Sequence, residues 1–159
     1  MLTCHITDPQ SFTLARDILI PLGEYFQVQD DFLDCFGTPE QIGKIGTDIV
    51  DNKCSWCINI ALANASPEQR QILDDSYGQH DPEKEAKVKA VYEELNLRGK
   101  YEQYETDSYN KLMGLIQTIP EVSTNGVNGA NGKANGEEEI PLKRDVFKAF
   151  LNKIYKRTK

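Results

Sequence analysis

Three features of the sequence predict an all-α fold. Apolar residues recur at helical spacing along most of its length, Asp-Pro and Ser-Pro pairs punctuate it as helix starts, and no stretch alternates convincingly like a half-buried strand. The 159 residues suffice for one domain with a sizeable core, provided that all its partner helices are present. A formal net charge of -7 argues against general attraction to nucleic acid or to an anionic membrane surface, and leaves local lysines or a bridging metal as routes to phosphate. There is no apolar run long enough to span a bilayer and no secretory pattern at the amino terminus, so the expected location is cytoplasmic. Cys4, Cys35, Cys54 and Cys57 are expected as reduced, mostly buried thiols, because Cys54-Ser55-Trp56-Cys57 is a single CxxC with no second pair and no nearby histidine.

The first seven residues are too few for an element with its own core, and Asp8-Pro9 then caps and starts a helix, so the chain is expected to begin in mid-structure. From Phe12, the residues Leu14, Ala15, Ile18, Leu19, Leu22, Phe26, Phe32 and Leu33 keep helical spacing, and Pro21 is expected to kink or divide that helix before Gly37-Thr38-Pro39 closes it. Thr38 and Pro39 start a short helix, interrupted by Gly43-Lys44-Ile45-Gly46-Thr47-Asp48, and residues 48–64 read as helical again. Ser66-Pro67-Glu68-Gln69 is a capping-box start for a helix ending near Gly78, and Asp81-Pro82-Glu83 starts another with Val88, Val91, Tyr92 and Leu95 as its apolar stripe. A break is expected near Gly99. Beyond it, Tyr101, Tyr104, Ser108, Leu112, Leu115, Ile116 and Ile119 lie at core spacing until Pro120. Residues 123–140 are an Asn-Gly near-repeat followed by glutamates, with almost nothing to bury, and read as a disordered insertion. Leu142, Val146, Phe147, Phe150, Leu151, Ile154 and Tyr155 then form a last apolar helical face that folds back on the core and ends in a basic tail.

The chemistry concentrates in Phe26 to Asp34. Asp30, Asp31 and Asp34 fall on one side of a helix, where their mutual repulsion favours a compensating cation, and hard carboxylate oxygens suit magnesium (Mg2+) that also bridges to phosphate. Lys44, bracketed by glycines, and Lys53 are point charges able to hold diphosphate oxygens beside that metal.

The ordered series from Leu22 to Asp34 and then from Gly43 to Trp56 resembles the second aspartate-rich region of farnesyl diphosphate synthases of the polyprenyl synthetase family, with wording nearest the fungal enzymes. The resemblance runs from about Thr7 to Val122 and resumes from Asp145, where Ala149 to Arg157 is similar to the family's carboxyl terminus. It implies part of an isoprenoid-synthase helical bundle, the C-terminal half with the N-terminal helices missing, divided as residues 1–122, the insertion 123–140 and a closing segment 141–159. It further implies condensation of isopentenyl diphosphate with an allylic diphosphate. Asp30, Asp31 and Asp34 would ligate magnesium, Asp30 foremost; Lys44 and Lys53 would bind the allylic diphosphate; Phe26 and Gln27 would line the pocket; and Lys156, Arg157 and Lys159 would approach the isopentenyl diphosphate. The family's first aspartate-rich motif has no equivalent in the chain, so an isolated chain is expected to be inactive. Its expected associations are a homodimer or a full-length prenyl synthase, the second being the role of a non-catalytic regulatory protein derived from such an enzyme. A terpene cyclase is disfavoured by the absence of a second metal motif of the cyclase type downstream and by the Gly-Lys-x-Gly-Thr-Asp loop.

Overall fold

A computed structural model of the chain describes residues 8–43, 45–120 and 142–157; helices joined by turns and irregular segments make up these residues, with no strand among them. Seven helices follow one another: α1 (Pro9–Phe36), α2 (Pro39–Ile42), α3 (Trp56–Asn64), α4 (Pro67–Ser76), α5 (Pro82–Glu94), α6 (Leu97–Gln117) and α7 (Arg144–Ile154). The expected insertion at 123–140, together with Lys44 and Lys159, lies outside the described residues.

The long α1 starts where the sequence says it should, with the Asp8 carboxylate accepting the Ser11 N–H at 2.8 Å. Pro21 does not divide it: 28 residues form one helix. A mid-helix proline costs about 3 kcal/mol, and burial of Ala15, Ile18, Leu22 and Tyr25 on either side of it offsets that. The capping box at Ser66 and Gln69 forms at the head of α4, and Asp81 caps α5 through the Glu83 N–H.

Two expectations need correction. Residues 48–55 are not the first half of a helix; they are turns and extended chain, and α3 begins only at Trp56. Asn52 adopts the left-handed conformation with φ 54°, which a continuing helix cannot contain, and the Lys53 N–H turns back to the Asp48 carbonyl at 3.0 Å. The break expected at Gly99 falls instead at Asn96, left-handed at φ 52°, whose side chain accepts the Gly99 N–H and so places Gly99 in the first turn of α6. Among the cysteines, Cys35 and Cys57 are buried free thiols as expected, and Cys54 is exposed.

The core has two lobes strung along α1 and α6. Ala15, Ile18, Leu22 and Tyr25 pack with Leu112, Ile116 and Ile119 of the far end of α6 and its following turn, and with Leu142, Phe147 and Leu151 at α7. The other lobe joins Cys35 and Ile49 to Cys57 and Ala61 of α3, Leu73 of α4, Val88, Val91 and Tyr92 of α5, and Leu97. The acidic end of α1 lies between the lobes. On α7, Val146 and Phe150 stay exposed, unlike the rest of the predicted stripe.

Candidate functional site

The carboxylates of α1 are not equivalent. Asp31 and Asp34 are buried and turn toward the segment that follows α2, whereas Asp30, one residue away, is partly exposed. Asp31 Oδ1 meets the Lys53 ammonium at 2.9 Å and accepts from the Gln27 amide at 3.0 Å, while Oδ2 takes the Trp56 backbone N–H at 2.7 Å. Asp34 Oδ2 accepts the Asp48 N–H at 2.8 Å. Lys53 bridges on to Asp48 Oδ2, again at 2.9 Å. The fold has thus gathered Gln27, Asp31, Asp34, Asp48 and Lys53 from two stretches of chain. It is the turned, non-helical backbone of 48–55 that brings Lys53 back over Asp31.

The electrostatics follow from burial and pairing. Burial alone would lower the Lys53 ammonium, but the hydrogen bonds and charges of Asp31 and Asp48 outweigh it and hold the lysine above its ordinary range. On Asp48 the balance is opposite: burial, with repulsion from Asp34 and Asp31, exceeds the help from Lys53 and raises the carboxyl.

Among the described residues, no three carboxylate, imidazole or thiol groups converge as they would around a bare ion. Magnesium asks for less, since it keeps several waters and takes one or two protein carboxylates together with substrate phosphates. Asp30 fits that role: it carries no hydrogen bond or ion pair among the described residues and sits beside a cluster whose charges are already arranged. Asp31 is engaged by three donors.

The remaining expected residues gather one turn earlier and at the carboxyl end. The Arg157 guanidinium lies over the Phe26 ring, 4.7 Å from its centroid, and the Lys156 ammonium is 5.3 Å from the Tyr155 ring centroid. Lys156 and Arg157 share a hollow of about 420 Å³ with Phe32, Tyr101 and Glu105.

Several participants carry no isolated sequence signal. Glu105 is a buried carboxylate whose Oε1 accepts from Tyr25 OH at 2.8 Å, Tyr101 OH at 3.0 Å and the Gln29 amide at 3.4 Å. The same Gln29 nitrogen donates to the Ile154 carbonyl at 2.9 Å, so the residue before Asp30 is tied to the start of the basic tail. A Glu four residues after Tyr101 on a core-facing stripe was the available clue. Asp48 closes the Gly43-Lys44-Ile45-Gly46-Thr47-Asp48 stretch, where spacing alone gives it no separate role.

A family model for polyprenyl synthetase matches residues 1–95. The farnesyl pyrophosphate synthase of Ganoderma lucidum is 57% identical over 162 residues, covering 100% of this chain and 42% of that protein. That of Schizosaccharomyces pombe is 52% identical over 154 residues, covering 97% of this chain and 40% of the relative. Among solved structures, T. brucei farnesyl diphosphate synthase complexed with risedronate superposes with a TM-score of 0.79 at 35% identity, covering 98% of this chain and 38% of that one. The helices therefore match the isoprenoid-synthase fold, and the chain spans about 40% of the length of the curated relatives it matches. With more than half of its residues matched by the family model, the chain belongs to the polyprenyl synthetase family.

Proposed function

We propose that the chain forms one wall of a magnesium-diphosphate site of the farnesyl diphosphate synthase type, in which isopentenyl diphosphate condenses with an allylic diphosphate. The observation that carries this reading is Asp30, without a partner among the described residues, beside the ordered Asp31, Lys53 and Asp48 cluster. Asp30 would hold the metal, with Asp34 and Asp31 lending charge from behind it, and Lys44 and Lys53 would face the diphosphate. When bound, magnesium supplies neutralisation of the charge that develops on the departing diphosphate. The lysines act in the same sense, favouring the ionising state over the ground state. Phe26 and Gln27 would flank the reacting chain, and the aromatic face of Phe26 would help keep water away. Lys156, Arg157 and Lys159 would serve the isopentenyl diphosphate.

The division into 1–122, 123–140 and 141–159 belongs to this reading, as does inactivity of the isolated chain, which offers one aspartate-rich wall and not two. Calorimetry of the purified chain with Mg2+ and inorganic diphosphate is expected to show metal-dependent binding, and incubation with isopentenyl and geranyl diphosphates to give no product. Absence of binding sinks the site; turnover sinks the inactivity.

A second reading is favoured by a different observation. Phe12, Leu19 and Phe26 lie along one exposed stripe of α1 at seven-residue steps, and Val146 and Phe150 are exposed one turn apart on α7. Such faces suit association with helices of a full-length prenyl synthase or with a second copy of the chain. A pull-down with a purified full-length synthase, and light scattering of the chain alone, would test each partner; recovery of neither would remove this reading.

A further inference from the structure

We propose that Tyr77 is a positioning residue for the proposed wall, setting the turn that carries Asp48 and Lys53; its functional consequence rests on the magnesium-diphosphate reading above. Residues 48–55 form no helix, and Asn52 interrupts them in the left-handed conformation; their few internal bonds, such as Lys53 N–H to the Asp48 carbonyl, are joined by contacts from neighbours on two sides. From the α1 side, the carboxylates of Asp34 and Asp31 hold the Asp48 and Trp56 N–H groups. From the opposite side, the turn is held by the end of α4. Tyr77, the C-cap residue of α4, is fixed by its own N–H on the Leu73 carbonyl at 2.9 Å. Its hydroxyl then reaches the Lys53 carbonyl at 2.8 Å and the Asp48 carbonyl at 3.2 Å, one proton shared between the two residues whose side chains make the ion pair.

The next residue adds a second hook. The Gly78 N–H donates to the Ile49 carbonyl at 2.9 Å. Gly78 has φ +71°, and a Cβ there would stand 2.8 Å from Asn52 Cβ, so the turn is packed against bare backbone at that point. Two consecutive residues after α4, its C-cap Tyr77 and then Gly78, therefore meet the turn at Asp48, Ile49, Asn52 and Lys53, and only the hydroxyl of Tyr77 distinguishes it there from a phenylalanine. The lysine's placement over Asp31 is the part of the site most dependent on that turn.

Tyr77→Phe in the full chain tests this, with Gly78→Ala as a second variant that presses on Asn52 instead of releasing Lys53. Hydrogen-exchange mass spectrometry is expected to show roughly fivefold or greater acceleration across 48–56 in Tyr77→Phe, as losing a hydrogen bond of ordinary strength would give, and unchanged exchange in α5 and α6. Affinity for inorganic diphosphate in the presence of Mg2+ is expected to fall by a similar factor while Tm stays close to that of the parent chain. Unchanged exchange across 48–56, or equal acceleration everywhere, overturns the assignment of Tyr77. Localised acceleration with undiminished diphosphate affinity overturns its functional consequence. If the parent chain itself binds no diphosphate, the functional reading of the wall fails, and the exchange result alone decides whether Tyr77 sets the turn.

Discussion

Asp31 and Glu105 are both nearly buried carboxylates, 6% and 8% exposed, yet the protein satisfies them by opposite means. Asp31 is met by a cation, Lys53, which it shares with Asp48, and by a backbone N–H. Glu105 is met only by neutral donors, two phenols and an amide, among the hydrogen bonds described. The first arrangement assembles charge next to the partly exposed Asp30. The second ties α1, α6 and the start of the basic tail into one unit through Tyr25, Tyr101 and the Gln29 link to Ile154. The difference separates a region organised around compensated charge from one organised around a polar hub. Substitutions in the two should therefore fail differently.

The largest effect is expected at the hub. Glu105→Leu strands the two phenol donors in the interior, each costing about 1–3 kcal/mol when left unmade, for a total of about 4 kcal/mol, while the Gln29 amide keeps the Ile154 carbonyl; Glu105→Gln keeps an acceptor oxygen and should recover most of that. Urea unfolding of the two variants measures it. Equal losses for Leu and Gln would mean that the charge of Glu105, and not its accepting oxygen, matters, and the contrast with Asp31 would collapse.

Next comes the ion-paired region. Lys53→Met leaves Asp31 and Asp48 without their cation and is expected to cost about 3 kcal/mol, near the lower end for breaking a buried pair because the lysine side chain is 39% exposed. Adding Asp48→Asn to Lys53→Met should restore part of the loss by removing one of the two orphaned charges. Additivity of the two substitutions would deny the coupling seen between their side chains.

The smallest and most gradual effect is in alkali. Burial raises the phenols of Tyr25, Tyr92, Tyr101 and Tyr104, and pushes Tyr77 up to about 12; at Tyr25 and Tyr101 the charge of Glu105 adds to burial. An unfolded tyrosine ionises near pH 10, so the unfolded chain loses these protons first, and stability should decline as pH rises from about 10 toward the folded values. Phenolate absorbance should accordingly lag behind that of free tyrosine and rise together with loss of helix by circular dichroism. Early phenolate formation with the helices intact would count against the buried hub.

Much of the fold was legible because its signals are local. Asp8-Pro9, Ser66-Pro67-Glu68-Gln69 and Asp81-Pro82-Glu83 announce helix starts through hydrogen bonds that reach only two or three residues. The misjudged stretch, 48–55, has helix-compatible spacing, and what turns it away from helix is Asn52 in the left-handed region together with bonds to Asp34, Asp31 and Tyr77. Those bonds span 14 to 29 residues of sequence. No local pattern encodes them.

The sequence by itself determined the helical class and the family resemblance, and it nominated the aspartates and lysines of the proposed wall, because helix caps, apolar periodicity and motif spacing are short-range properties of the chain. Tertiary structure alone decided which aspartate stays open. The fold buries Asp31 and Asp34 against a distant turn, commits the Lys53 ammonium to Asp31 and Asp48, and leaves Asp30 partly exposed. Two adjacent carboxylates on one helix look alike in sequence, and only the surfaces packed against them make one a partner of the protein and the other available to a ligand.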